Sequence, residues 1–495
     1  MKKIIFLLVF LCSIYGVDNS NFVSKYTNIK TANITNPAWM LYEYSLDNSS
    51  YEIIADNADG KLKQVYTPEK VLDLNYLARG QKKLFESGLF SGYVSFHQQY
   101  SDNRKWIHNR VPYQGFPFLF SDSSTGDIKL NGIHMQMGYS HAIISKKLYF
   151  GSHVFYNVDE EMKDVFPKPI NKHRDIATWF GIGYVVNKKL KFGFSHSYFD
   201  FRELMKTSKY SLDQSKTPIF FKVRGLDNPV IFRAETAEER EQLFYGNIYK
   251  VDGQITNILI NEINFEAGFE KAGVKAEDGG AYPQAQGKMN SDELFYSINM
   301  LMPFISGSNL GIFSEGKKNL QKSNHPEIVV EIFKYKKEQI LFGSTLYLNL
   351  FENLDFNPTF YFSSQFLERI DKFNGILEYF PSQTLGASFE SNYTISDKIQ
   401  VGLAGGMEKF DVKGYKIYME KVEWYYNEIT KFEQEYQKSD KKSMWINTFV
   451  KYNINNLNAV KLNVKYNQLS TENHGYYEGF NRNGFYVSFK LMRQL

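Results

Sequence analysis

The sequence predicts an all-β protein, a transmembrane antiparallel β-barrel of about 14–18 strands with long extracellular loops. Three observations predict it: many segments alternate apolar and polar residues, short polar turns alternate with long irregular stretches, and the 495 residues include 35 Tyr and 42 Phe. The mean hydropathy of −0.41 fits strands that average apolar and polar positions. After the N-terminus no apolar run reaches about 18 residues, which excludes a polytopic helical membrane protein.

The first element is a predicted secretory signal peptide over residues 1–16. A basic start precedes an apolar centre, and Gly16 is a small residue at which a peptidase can cut. A membrane anchor is the alternative, but the apolar stretch is shorter than a bilayer-spanning helix. Cleavage near Gly16 removes Cys12, the one cysteine of the chain, so we expect no disulfide in the mature protein.

Two further parts follow the leader. Residues 17–40 form an N-terminal segment that could plug a barrel lumen, and residues 41–495 form the predicted outer-membrane barrel. The alternation of apolar and polar residues in this third part has the period of a half-buried strand, and it continues almost to the end of the chain.

The segment 460–467 shows the alternation most clearly. We expect its apolar residues to face lipid: Val460, Leu462, Val464 and Tyr466. We expect its polar residues to face the lumen, and they are the candidate lumen-facing site residues: Lys461, Asn463, Lys465 and Asn467.

The connections between strands also follow a pattern. Short polar turns occur near 145–147, 187–189, 252–253, 396–398 and 453–456. Long stretches occur near 101–126, 159–172, 202–239, 272–291, 412–441 and 471–483. Outer-membrane barrels have short periplasmic turns and long extracellular loops. With both termini on the periplasmic side the tally is about 18 strands, in which 303–325 must be a long inward turn and 336–339 a short outward one.

Two groups of residues resemble known families. The segment Asn36–Met40 resembles the Asn-Pro-Ala-x-Met segment near the N-terminus of the long-chain fatty-acid transporter family of outer-membrane barrels. The sequence over most of the chain is similar to an uncharacterised family of Gram-negative outer-membrane barrels, catalogued as domain of unknown function 6850. The residues that carry this second resemblance are Gly92–Phe96, Phe116–Phe118 with Asp122 and Gly126, and Phe166–Asn171 before Gly181–Tyr184. Phe166 departs from the family pattern, which has an acidic residue there. The resemblance implies a barrel fold and an outer-membrane location, with no assigned activity.

The sequence offers little recognisable catalytic or metal-binding chemistry. His134 and His153 could meet across the hairpin that turns at Ser145, but no third ligand follows at a metal-binding spacing, so we expect ordinary lumen histidines and no metal site. There is no Gly-x-Ser-x-Gly elbow, phosphate loop or Cys/His metal box. We therefore expect no enzyme and no cofactor, although a Ser/His pair drawn from separate strands is the alternative.

Two further features have competing interpretations. The glycines of Gly181–Gly183 and Gly402–Gly406 lie within strands, where close strand approach or barrel curvature explains them. The aromatic stretch 420–442 is interpreted as an extended hairpin arm, with a sugar- or partner-binding site as the alternative.

The predicted function is an outer-membrane pore or transporter for an unidentified small solute, by analogy with the fold. One alternative is a non-transporting surface barrel whose loops bind a ligand or partner, and another is a soluble exported β-protein. The expected partners are outer-membrane lipid, the barrel-assembly machinery and the solute. The net charge of +4 gives no electrostatic case for nucleic acid.

Overall fold

The computed structural model describes residues 36–43, 47–105, 107–109, 117–165, 168–207, 220–226, 229–232, 239–257, 260–280, 282–305, 307–326, 330–351, 353–420, 424–472 and 475–494. The predicted signal peptide, 1–16, and residues 17–35 of the predicted N-terminal segment lie outside them. Within the described ranges, no helix has both the length and the apolar character needed to span a membrane.

Twenty-two strands occur in the described residues. In chain order they are β1 (Asn48–Gly60), β2 (Lys70–Leu84), β3 (Gly88–Arg104), β4 (Phe118–Asp122), β5 (Gly126–Ile144), β6 (Leu148–Lys163), β7 (Ile170–Asn187), β8 (Leu190–Lys206), β9 (Phe220–Arg224), β10 (Pro229–Phe232), β11 (Glu239–Thr256), β12 (Glu262–Asp278), β13 (Gln284–Pro303), β14 (Asn309–Asn324), β15 (Glu331–Phe351), β16 (Leu354–Asp371), β17 (Ile376–Ser396), β18 (Ile399–Val412), β19 (Lys416–Met419), β20 (Lys441–Asn453), β21 (Asn458–Thr471) and β22 (Asn481–Gln494). The helical segments are short: Pro37–Trp39, Met40–Glu43, Tyr426–Thr430 and Lys431–Lys438.

Eighteen of these strands form a closed wall. Nineteen strands belong to one sheet. The four-residue β19 pairs with the first four residues of β17 and does not span the wall, which leaves eighteen. The first strand pairs with the last, from Asn48 opposite Gln494 to Gly60 opposite Arg482. Closure satisfies the backbone groups that an open edge would leave unpaired in lipid, where each costs several kcal/mol. The predicted antiparallel barrel is confirmed, at the upper end of the predicted strand number.

The wall has an apolar outer face and a polar inner face. On β5 the outward residues Ile133, Met135 and Met137 are exposed, whereas the inward residues Gly132 and Ser140 are buried. The same alternation continues around the wall because neighbouring strands are paired in register. A band of this kind suits hydrocarbon outside the barrel and polar groups inside it.

The two ends of the barrel differ as predicted, but two of the predicted long stretches, 159–172 and 272–291, are mostly strand, with connections only at 164–169 and 279–283. One end has short turns, such as 145–147 between β5 and β6, and it also holds the start of β1 and the end of β22. The other end has the long connections, including those that contain β4, β9, β10 and β19. This second end is the extracellular side of an outer-membrane barrel.

Three predicted turns are wrong. Residues 252–253 lie inside β11, residues 303–325 contain β14, and residues 336–339 lie inside β15. The charged residues 336–339 favoured a turn in the sequence, but in β15 they pair with the neighbouring strand. Glu338, for example, accepts from Lys318 of β14 at 3.0 Å. The sequence prediction divided β15 into two strands and omitted β14, so the predicted number of strands was unchanged.

Candidate functional site

The segment Asn36–Met40, called here the inner latch, docks on the lumen face near the short-turn end. Asn36 caps the short helix that follows, since its Oδ1 accepts from the backbone N–H of Ala38 at 3.1 Å. Its Nδ2 donates to the carbonyl oxygens of Ile182 on β7 at 3.0 Å and Phe194 on β8 at 3.1 Å. One side chain therefore both starts the helix and fastens it to two strands.

Glycines in the wall make room for the inner latch. A Cβ built on Gly181 would lie 1.8 Å from Asn36 Oδ1, and one on Gly151 would lie 2.2 Å from the backbone of Pro37. A Cβ on Gly183 would lie 2.6 Å from the ring of Trp39. The interpretation of Gly181–Gly183 by strand approach or curvature is thus wrong, because these glycines accommodate a separate segment of chain.

Trp39 anchors the far side of the inner latch. Its indole N–H donates to Asp252 on β11, and its ring lies 6.1 Å from that of Tyr149 on β6. The ammonium of Lys191 is 5.1 Å from the same ring. Asp252 was missed in the sequence because an Asp-Gly pair favours a turn. The described part of the predicted plug segment 17–40 thus lies inside the barrel.

The extracellular loops fold into the opposite end of the lumen and form what we call the outer plug. It comprises the sheet β4–β9–β10, the loop 61–69 and the helical segment 424–438. All five residues of β4 are buried, so that strand is enclosed on both faces. Side chains from four connections share one apolar cluster: Tyr66, Ile107, Leu119, Phe221, Val223, Tyr425 and Ile429. The interpretation of 420–442 as an extended hairpin arm is wrong, because Tyr425 lies in this core with Trp424 packed against it, and Tyr436 is buried in a second cluster with Leu62, Leu469 and Tyr477.

On one side the outer plug is tied to β6. Lys163, the last residue of β6, places its Nζ 3.1 Å from Asp122 Oδ1 and 2.8 Å from the carbonyl oxygen of Ser124. His108 Nε2 lies 2.9 Å from the other carboxylate oxygen of Asp122. All three side chains are almost completely buried.

Burial and nearby charge act in opposite directions on the pKa values of Asp122 and His108. Burial would raise the pKa of Asp122, but the interactions with His108, Lys163 and Ser124 outweigh it and lower that pKa to about 2. Burial lowers the pKa of His108 below its ordinary 6.5, and the attraction of Asp122 only partly offsets this effect. At neutral pH a neutral His108 therefore lies beside the ion pair of Asp122 and Lys163.

A second set of contacts ties the outer plug to β11 and β12. Arg240 donates to both carboxylate oxygens of Asp278, at 2.6 and 3.1 Å, and to the carbonyl oxygen of Leu119 in β4 at 3.1 Å. Lys222 of β9 lies 2.8 Å from Asp278. Phe118 packs on the lumen side of β12 and β13.

A third set reaches the opposite wall. Gln434 in the helical segment donates to Glu378 on β17 at 2.7 Å, and Glu378 also pairs with Arg369 on β16. In the order of the eighteen wall strands, β17 lies nine places from β6. The plug, joined through its apolar cluster, thus contacts strands on opposite sides of the barrel.

A group of histidines lies in the lumen between the inner latch and the outer plug. His134 does not lie with His153 as the sequence suggested: it lies beside His97 and Asp159, whereas His153 contacts Gln136 and Met40. The partners come from three different strands, so no spacing along the chain could have shown the group.

The candidate lumen-facing residues lie on the inner face of β21. They share the odd-numbered face with Ala459 and Leu469, which are buried, whereas Leu462 and Tyr466 on the other face are 45% and 42% exposed.

The four candidate residues contact neighbouring wall strands. Lys461 places its Nζ 3.9 Å from the ring centroid of Phe449, and Lys465 is 5.6 Å from that of Trp445. Asn463 and Asn467 occupy the same face, and the side chain of Asn467 covers Gly484 of β22. That these four residues contact a solute stays a prediction.

These features define the class of the protein. A closed barrel of antiparallel strands with an apolar outer band and short turns at one end is an outer-membrane β-barrel, so the protein lies in the outer membrane of a Gram-negative bacterium. The chain belongs to a family described as a family of unknown function (DUF6850), whose model matches residues 37–492. The resemblance of Asn36–Met40 to the fatty-acid transporter family stays a prediction.

Solved structures of partial similarity include three receptors or transporters. The siderophore receptor PiuA from Acinetobacter baumannii is 8% identical, with 90% of this chain and 82% of that chain covered at a TM-score of 0.43. The copper transporter OprC is 9% identical, with coverages of 90% and 80% and a TM-score of 0.45. The outer membrane transporter YddB from Escherichia coli is 7% identical, with coverages of 92% and 81% and a TM-score of 0.44. No curated protein matches the sequence.

Proposed function

We propose that the protein is a gated outer-membrane transporter for a small solute, and not a constitutively open pore. The observation that carries the proposal is the outer plug, which contacts two wall strands nine places apart: Asp122 of the plug pairs with Lys163 on β6, and Gln434 of the plug donates to Glu378 on β17. Barrels of about 16–18 strands enclose an aqueous channel unless something fills it. Here folded loops cross that channel.

The inner latch supports the same function from the other end. It is held by two hydrogen bonds from Asn36 to backbone carbonyls of β7 and β8 and by side-chain contacts of Trp39 with β6, β8 and β11, without a continuous backbone ladder of its own. Contacts of this kind can be released locally while the wall stays paired, because a segment with few backbone bonds opens at lower free energy than a sheet. Movement of the inner latch and of the outer plug would then open one continuous path.

A flux assay in liposomes tests the proposal. We compare the intact protein with a double-release variant, in which residues 36–43 are deleted and Gly-Ser linkers replace 208–238 and 420–440. The intact protein should admit small sugars slowly, and the variant should admit them quickly with a clear cut-off in solute size. Heat-modifiable migration on gels verifies that both barrels are folded.

The comparison also separates the alternative functions. A folded double-release variant that admits no solute would refute the transporter and favour a surface barrel that acts through its loops. Rapid flux through the intact protein would instead show an open pore and refute the gating.

A further inference from the structure

A group of three metal-ligating side chains lies in the lumen between the inner latch and the outer plug. His97 Nε2 lies 3.0 Å from Asp159 Oδ1, and His134 Nε2 lies 3.4 Å from the same oxygen. One ligand atom from each residue falls within 4.8 Å of the other two. Asp159 and His97 are at most 1% exposed, and His134 is 14% exposed.

These separations are short enough for one transition-metal ion to contact all three residues. Zinc lies about 2.0–2.1 Å from a histidine nitrogen and about 2.0–2.2 Å from a carboxylate oxygen. Two ligands at such distances are about 3.0 Å apart at an octahedral right angle and about 3.4 Å apart at a tetrahedral angle. The two nitrogen–oxygen distances, 3.0 and 3.4 Å, lie within this range.

Three wall strands bring the ligands together. His97 of β3 lies opposite Gly132 of β5, which in turn lies opposite Asp159 of β6, so the three form one row across the sheet. His134 projects from β5 two residues further along, on the same face. A Cβ on residue 132 would lie 1.7 Å from Asp159 Oδ1 and 2.3 Å from His97 Cε1, and only glycine leaves room for the two ligands to meet.

A second row of polar groups orients the carboxylate. Asn157 Nδ2 donates to Asp159 Oδ2 at 2.8 Å and to Asp175 Oδ2 at 2.7 Å. This bond holds one oxygen of Asp159 and directs the other toward the two histidines. Outer hydrogen bonds that fix the orientation of a ligand are a regular part of metal sites.

We propose that His97, His134 and Asp159 form a binding site for one divalent transition-metal ion inside the barrel. Two imidazoles and a carboxylate favour Zn²⁺, Fe²⁺, Co²⁺ or Ni²⁺ over Ca²⁺ or Mg²⁺, which take oxygen ligands. Three protein ligands leave further coordination positions open to water or a small ligand. The site does not depend on transport, because a barrel that only binds ligands could hold the same ion.

Metal titration of the full-length, untagged protein tests the site. The folded protein in detergent is stripped with a chelator and titrated with Co²⁺, whose visible absorption reports nitrogen and oxygen ligands, and then with Zn²⁺ in calorimetry. We expect one ion per chain, with Zn²⁺ displacing Co²⁺. Failure of the wild-type barrel to bind either ion at one equivalent, while it keeps heat-modifiable migration, would overturn the proposal.

Variants identify the ligands. Asp159→Asn keeps the shape of the side chain and removes its charge, and His134→Gln removes one imidazole, so each should weaken binding at least 10-fold. His196→Gln is the matched control, because His196 is on the outer side of β8 and contacts Asn247 and Tyr249. Equal binding in all three variants would place the ion elsewhere and refute this site.

Discussion

The indole N–H of Trp39 donates a hydrogen bond to the carboxylate of Asp252, 213 residues further along the chain. This bond joins the inner latch to β11, whereas Asn36 fastens it to β7 and β8. The Asp-Gly pair at 252–253 is therefore part of a docking site and not a turn. The first prediction concerns this docking site.

Enlarging Gly181 should release the inner latch. Its Cβ would lie 1.8 Å from Asn36 Oδ1, so Gly181→Leu cannot coexist with the docked segment. Ser140→Cys provides the readout: Ser140 is 0% exposed, and its Oγ donates to the carbonyl oxygen of Ala38 at 2.9 Å. With Cys12 replaced by Ser, a polar maleimide should label Cys at 140 slowly in the parent and at least 10-fold faster with Gly181→Leu.

A matched glycine controls for general damage to the wall. The nearest atom to a Cβ built on Gly80 of β2 is 3.4 Å away, which is an ordinary contact. Gly80→Ala should therefore leave the labelling rate at 140 unchanged. Fast labelling in the parent itself would show that the inner latch does not dock.

The ion pair between Asp122 and Lys163 should stabilise the docked outer plug. Removing one partner of a buried pair costs about 3–5 kcal/mol, because the other charge stays buried. Lys163→Met or Asp122→Asn should therefore lower the free energy of local opening measured by hydrogen exchange over 117–125. In the double variant the decrease in this free energy should be smaller than the sum of the decreases in the two single variants. Strict additivity of the two losses would mean that the pair does not interact.

The docked outer plug should weaken as the pH falls below 6.5. Undocked His108 takes up a proton near pH 6.5, but burial lowers its pKa in the docked state, so the undocked state binds more protons at pH 5–6. The opening free energy should fall by up to about 1.4 kcal/mol per pH unit there. Asp122, with a pKa of about 2, adds its own loss only between about pH 4 and 2.

The same hydrogen-exchange experiment at pH 7.5, 6.5 and 5.5 measures this effect, and His108→Gln should abolish most of it. An unchanged pH dependence in His108→Gln would assign the effect to another group.

The orientation of β21 has its own test. Leu462 is on the exposed outer face, where an arginine near mid-bilayer costs about 2–4 kcal/mol, whereas Asn463 faces the lumen side. Leu462→Arg should strongly reduce the folded barrel recovered from membranes, and Asn463→Arg should reduce it little. Gel migration without boiling measures both yields, and equal losses would contradict this orientation.

The wall was predictable from the sequence because alternation along one strand is a local pattern, as in 460–467. The contents of the lumen were not, because each contact joins distant segments. Asp122 meets Lys163 and His108 through the fold of a loop, and β4 acquires its burial from β9, about a hundred residues later. The prediction of a turn at Asp252-Gly253 was wrong because Asp252 instead binds Trp39 of the inner latch, a contact that the local sequence does not show.

Conductance in planar bilayers tests the central claim most directly. The intact protein should give rare, brief openings or none, and the double-release variant should give steady, discrete steps, because an unfilled barrel of about 18 strands is wide enough for hydrated ions. The interpretation of 420–440 as a solvated arm predicts no change when that loop is deleted, whereas the structure predicts more frequent opening. Steady conductance by the intact protein, or silence of a folded double-release variant, would contradict a barrel gated by its own loops and N-terminal segment.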